Sequence, residues 1–229
     1  MRKLGLIGGM SWFSTRTYYE YINRGVQARA GKQASAPLII ESLDYSTLVG
    51  LSEANDWARA ATVLSDSAQR LEAAGATAII IGANAMHKVF DTVAGSVAVP
   101  MLHIADCVAE RMVTKGIKKA ALLGTRNVML DTFYRQKLTE RDIELLPPEM
   151  DSVETLDRII YDELIVGKAS RQAERELKTI ITNLAQDGAE AIVLGCTELE
   201  MVVDVDANVL PIFDCTRIHS DAAVDWITG

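Results

Sequence analysis

Apolar residues along this chain fall into short unbroken runs and stripes of helical period, and the two patterns alternate from one end to the other. The run 3–10 ends on Gly8-Gly9 and predicts a first strand. The stripe Tyr18, Tyr21, Ile22 and Val26 predicts a helix over 15–30, with Ser11 and Ser14 available to cap it. Residues 37–43 read as a second strand, and Ala60, Leu64, Ala68 and Leu71 mark a helix over 56–74. A strand over 78–82, a helix from Met86 towards Val93 and a strand over 99–104 follow. This β-α-β-α-β order is the signature of a parallel sheet wrapped by helices.

The pattern then begins again. Lys119-Ala120-Ala121-Leu122-Leu123-Gly124-Thr125 mirrors the first strand, and a strand segment ends at Leu145-Leu146. Helices are expected over 152–166 and 170–187, a strand over 191–194, another over 209–214, and a last helix through Trp226. Residues 75–84 match 188–197 position by position, with Leu71 and Leu184 also in register. A repeat of about 110 residues is too long for a solenoid unit. The expected fold class is α/β: two similar parallel-sheet lobes related by a pseudo-twofold axis, with a cleft between them. The first lobe is expected to span 1–97 plus 210–229 and the second 98–209, the chain crossing near Ala98 and returning near Leu210. The cleft would be lined by the tips after Gly9, Gly82, Gly124 and Gly195.

Composition narrows the function classes. With 49% hydrophobic residues in 229, the chain can bury a sizeable core. A net charge of −8 argues against a nucleic-acid surface and favours a small-molecule partner. No apolar stretch reaches membrane-span length and the first residues do not read as a signal peptide, so a cytoplasmic protein without membrane contact is expected. Neither G-x-G-x-x-G nor a P-loop motif occurs. Three cysteines far apart in sequence form no Cys-x-x-Cys pair, and three scattered histidines form no ligand motif, so neither disulfides nor a metal is expected.

Candidate chemistry gathers at the strand tips. Cys196 follows an apolar run and a glycine, the position where ligands bind in parallel α/β folds. Backbone N–H groups of a helix starting at Thr197-Glu198 are expected to lower its pKa and make it a thiolate able to attack or to take a proton; the alternative is a small buried hydrophobe. Cys107 and Cys215 lie among apolar neighbours and read as packing. His87 either faces the cleft or caps its own helix, and His103 and His219 read as structural. Asn84, Thr125 and Thr197 offer neutral donors suited to a carboxylate, or ordinary helix caps. In the internal repeat, Ala83 occupies the place of Cys196.

Gly8-Gly9-Met10-Ser11-Trp12, Ala83-Asn84-Ala85-Met86-His87-Lys88, Leu122-Leu123-Gly124-Thr125 and Gly195-Cys196-Thr197-Glu198 together resemble the aspartate/glutamate racemase family from end to end. The resemblance implies racemisation of an amino acid without pyridoxal phosphate or any other cofactor. Two groups, usually thiols, stand on opposite faces of the α-carbon. It implies Cys196 as one acid/base, with Ala83 at the position of the other, where cysteine or threonine is usual. Asn84, Thr125 and Thr197 are implied as ligands of the α-carboxylate, and Met10, Ser11, Ala85 and Glu198 as further substrate-binding positions. An acidic amino acid or dicarboxylate is the implied ligand, and a homodimer the implied assembly. Three functions fit Ala83: a racemase in which His87, or a water it orients, replaces the missing acid; a single-cysteine decarboxylase of malonate-type acids; or a relative that binds an amino acid without turning it over.

Overall fold

The computed structural model describes residues 1–205 and 208–229; residues 206 and 207, within the expected second lobe, lie outside them. The chain divides into two compact units, Met1–Ile104 with His219–Gly229, and Ala105–Ile218.

The first unit is built on a parallel sheet of strands β1 (Leu4–Gly8), β2 (Leu38–Ser42), β3 (Ala78–Ile81) and β4 (Met101–Leu102), in the order β2-β1-β3-β4. Helices α1 (Trp12–Ala30), α2 (Tyr45–Glu53), α3 (Trp57–Ala73) and α4 (Phe90–Ala94) belong to it. Both central strands are buried along their length, and their side chains alternate between two helical layers. Leu4, Leu6 and Ile80 pack with Tyr18, Ile22 and Val26 of α1. Ile7, Ile79 and Ile81 pack with Leu64, Ala68 and Leu71 of α3. Each such aliphatic side chain contributes roughly 1.5–3 kcal/mol through burial.

The second unit repeats this order. Strands β5 (Lys119–Leu123), β6 (Glu144–Leu145), β7 (Ala191–Leu194) and β8 (Ile212–Asp214) form a parallel sheet ordered β6-β5-β7-β8. Its helices are α5 (Ile104–Thr114), α6 (Arg126–Leu130), α7 (Thr132–Thr139), α8 (Met150–Asp162) and α9 (Arg171–Gln186). Leu123, Ile192 and Leu194 pack against Leu156 and Ile160 of α8 and Leu177 and Ile181 of α9. The last helix, α10 (Cys215–Thr228), starts in this unit and from His219 onward belongs to the first, where Ala223, Val224 and Ile227 join the α1 layer. Gly25 permits that contact: a Cβ there would stand 2.6 Å from Val224 Cγ2.

The structure differs from expectation in places. The units change hands after Ile104 and Ile218, later than the expected Ala98 and Leu210. Strand pairing is the reason, since β4 pairs with β3 in the first sheet and β8 with β7 in the second. The segment expected as one helix from Met86 is a 3-10 turn, Ala85–Val89, followed by α4. The segment after Cys196 is a five-residue 3-10 turn, Thr197–Met201, and not an α-helix.

Candidate active site

Each sheet collects its candidate residues at the carboxyl ends of its strands. In the second unit, β5 and β7 are neighbours, with Leu123 in register with Leu194. Gly195 N–H donates to Leu123 O at 2.6 Å. A Cβ on Gly195 would lie 2.8 Å from Val128 Cγ1 and 2.9 Å from Leu122 Cδ1, so any larger residue has to displace both side chains. The chain then turns out through Cys196 in an extended conformation, with φ −144° and ψ 130°. The partly buried Cys196 donates its S–H to Glu198 Oε2 at 3.1 Å. The Thr197 hydroxyl donates to the same oxygen at 2.6 Å. Glu198 is buried, at 7% exposure, so a carboxylate stands directly against the thiol.

This arrangement reverses the expectation for Cys196. Burial, and then the charge and hydrogen bonding of Glu198, push the thiol well above its ordinary pKa. A short 3-10 turn has only a weak dipole to oppose them, so the resting group is a thiol whose proton already points at an acceptor. Thr125 leaves the neighbouring strand tip as the N-cap of α6 without making a side-chain cap bond, and its buried Oγ1 has no partner. The other two cysteines are unsuited to chemistry. Burial, aided by Glu110 and Asp106, pushes Cys107 up to about 12. Cys215 is buried against the Tyr134 hydroxyl at 2.8 Å, and burial drives its pKa upward.

In the first unit, Gly9 adopts φ +86° and its N–H donates to Thr15 Oγ1 at 2.7 Å. A Cβ there would collide with the Leu43 backbone, which fixes the turn between β1 and α1 as a glycine turn. Met10 is buried, and Ser11 serves as the N-cap of α1, its Oγ accepting from Ser14 N–H at 3.5 Å. At the tip of β3, Ala83 and Ala85 are half-buried and flank Asn84, whose buried Oδ1 has no partner. His87 Nδ1 lies 2.9 Å from Ala83 O.

All three histidines of the chain meet here. The His87 ring centroid is 4.8 Å from that of His103, 5.7 Å from that of His219 and 5.6 Å from that of Phe90, on which it stacks. His219 donates from Nε2 to Leu102 O at 3.1 Å and accepts the Tyr18 O–H on Nδ1 at 2.9 Å. Burial lowers the pKa of His219 to about 4. Burial, and then the neighbouring His103 and His219, hold that of His87 well below the usual histidine range. Among the described residues no group of three or more His, Cys, Asp and Glu is placed to hold a metal ion.

Comparison with known proteins places this geometry. The model of the Asp/Glu/Hydantoin racemase family matches residues 7–223. The chain belongs to that family. It is 41% identical to a candidate Asp/Glu racemase from Yersinia pestis, each chain covering all of the other, with a TM-score of 0.93. It is 33% identical to an aspartate racemase homologue from Pyrococcus horikoshii OT3, again over both whole chains, with a TM-score of 0.88. Over 87% of this chain and 96% of the relative, it is 23% identical to the broad-specificity amino-acid racemase RacX of Bacillus subtilis.

Two features escaped sequence reasoning. The Cys196–Glu198 contact joins residues two apart at the start of a segment expected to be helical, where that spacing does not bring side chains together, and the five-residue 3-10 turn does so instead. The histidine cluster joins positions 87, 103 and 219, which only the return of α10 to the first unit unites.

Proposed function

We propose that this protein is an amino-acid racemase that works without pyridoxal phosphate, with Cys196 as its acid/base on one face of the α-carbon. The observation that carries this reading is the 3.1 Å hydrogen bond from the Cys196 thiol to the Glu198 carboxylate. Glu198 takes the thiol proton as the sulfur takes the α-proton, so a single negative charge is shared by the pair and then passes to the substrate carbanion. Thr197, already bonded to the same oxygen, keeps the carboxylate aimed at sulfur. The unpartnered Thr125 hydroxyl is suited to donate to the α-carboxylate, which spreads the carbanion's charge.

The second acid/base of the reaction would come from the position of Ala83. Ala83 ends at Cβ, and His87, neutral with its one N–H directed at Ala83 O, has no proton to give from Nε2. Its depressed pKa also makes it a poor base. Water therefore supplies the proton that Ala83 cannot, and inversion runs more slowly than exchange at the thiol's own face. Acidic amino acids are the favoured substrates, with the wider range named for RacX as the alternative.

The test is solvent-deuterium exchange at the α-carbon, read by proton NMR. L- and D-aspartate and L- and D-glutamate are supplied to the wild type and to Cys196→Ala, both dialysed free of small molecules. Exchange with the wild type and none with the variant is expected; exchange surviving in Cys196→Ala would overturn the proposal. Ala83 also favours a second reading, single-faced decarboxylation of a malonate-type acid. Carbon dioxide release from such acids, with no exchange on any amino acid, would select it.

A further inference from the structure

The turn after β3 holds two buried acceptors with no donor. Asn84 Oδ1 and His87 Nε2 lack hydrogen-bond partners, on residues only 6% and 2% exposed. Such groups in a native fold call for an explanation, since an unpaired buried acceptor destabilises. The two residues lie one 3-10 turn apart. His87 N–H donates to Asn84 O at 3.1 Å, the i to i+3 link of a 3-10 turn, and in that geometry side chains three apart eclipse.

The state of His87 follows from its other nitrogen. A carbonyl oxygen can only accept, so the 2.9 Å contact with Ala83 O places the proton on Nδ1 and leaves a bare lone pair on Nε2. Packing against Phe90, His103 and His219 keeps the ring neutral and fixed in place. Ala83 and Ala85 carry no hydroxyl or thiol that could turn inward and satisfy either acceptor.

We propose that His87 Nε2 and Asn84 Oδ1 form a subsite for an N–H donor on the ligand, selecting the α-ammonium of an amino acid over a des-amino acid of the same shape. The choice of an amino acid as the donor rests on the racemase reading above. The chemistry itself is general: an ammonium group carries three protons for two acceptors, whereas a plain dicarboxylate carries none. His87 is thereby a specificity residue, and the Asn84 amide retains its Nδ2 donors for the adjacent carboxylate.

The test compares matched pairs by calorimetry: L- and D-aspartate against succinate, and L- and D-glutamate against glutarate. Wild-type protein should bind at least one amino acid about tenfold to a hundredfold more tightly than its des-amino partner, the worth of one or two charge-assisted bonds. His87→Phe keeps the ring stack and removes the acceptor, so the ratio should fall towards one while des-amino binding holds. His87→Gln, which restores an acceptor oxygen, should recover part of the ratio. Should His87→Phe fail to fold, Asn84→Asp provides an independent reading, since a charged acceptor should raise the ratio. A wild-type ratio of one or below overturns the proposal, as does failure of every amino acid to bind at millimolar concentration, a ratio unchanged in His87→Phe, or a ratio lowered in Asn84→Asp. Deuterium exchange on the same samples separates the two claims. Exchange without ammonium preference removes only the subsite, and preference without exchange removes only the racemase reading.

Discussion

Replacing Glu198 by glutamine keeps the side-chain shape and removes the charge facing Cys196. At 3.1 Å and an effective dielectric near 20, two negative charges on this pair would repel by about 5 kcal/mol. That repulsion opposes a thiolate at Cys196 beside the Glu198 carboxylate, so the thiol hands its proton to that carboxylate only as it takes the α-proton. Glutamine abolishes that exchange, and its effect on the thiol takes opposite signs in two assays. Removing the negative neighbour lowers the Cys196 pKa, because Glu198 is one of the groups that raise it. Catalysis nonetheless falls, because no carboxylate remains to take the thiol proton as the α-proton is transferred. The loss of one positioned proton acceptor predicts a fall of about 10²–10⁴ in α-proton exchange. Alkylation of Cys196 by iodoacetamide, followed at peptide resolution against pH, should shift its midpoint to lower pH in Glu198→Gln while NMR exchange collapses. Exchange near the wild-type rate, or an alkylation midpoint shifted to higher pH, would refute the shared-proton pair.

Other consequences follow from the same geometry. Ala83→Cys supplies the missing group and should speed inversion by about 10²–10⁴ with little change in exchange at the thiol's own face, measured by chiral chromatography beside NMR. Gly195→Ala forces a Cβ to within 2.8 Å of Val128 and 3.2 Å of Leu123 O, and should cost about 1–3 kcal/mol in denaturant unfolding; unchanged stability would mean that the Val128 and Leu122 side chains give way freely. His219 is buried neutral with its pKa lowered from 6.5 to about 4, so below pH 6.5 the unfolded chain binds the extra proton, and stability falls as pH drops towards 4. That is worth on the order of 3 kcal/mol from His219 alone, and His87 acts in the same direction. All three histidines lie in the first unit, so hydrogen exchange at acid pH should loosen β1 and β3 before β5 and β7; the reverse order would contradict this.

Much of the architecture was legible because the central strands of both sheets are continuous aliphatic runs, unmistakable where both faces are buried. The repeat of 75–84 in 188–197 marks two strands, β3 and β7, that occupy the same place in their sheets. What lacks an apolar stripe was not legible. Helix α2 buries only Leu48 and is held at its start by Asp44, whose side chain accepts from Ser46 N–H at 3.2 Å. Periodicity also misread the segments after Gly82 and Gly195, where 3-10 turns replace the expected helices. That difference decides the chemistry at Cys196, because an α-helix would have favoured the thiolate and the short turn brings up a carboxylate instead. Cys196, Asn84 and His87 stand at the strand tips where the sequence pattern puts them; their protonation and hydrogen-bond state was not readable, since it depends on Glu198, the Ala83 carbonyl and two distant histidines.

Deuterium incorporation and inversion, followed together from each enantiomer of aspartate and glutamate, test most directly whether one thiol serves one face. A thiol-and-carboxylate pair working without a second acid predicts that one enantiomer incorporates deuterium with retention faster than it inverts, and that both processes vanish in Cys196→Ala. Equal rates of exchange and inversion from both enantiomers would mean that a second acid stands opposite Cys196, and would contradict it.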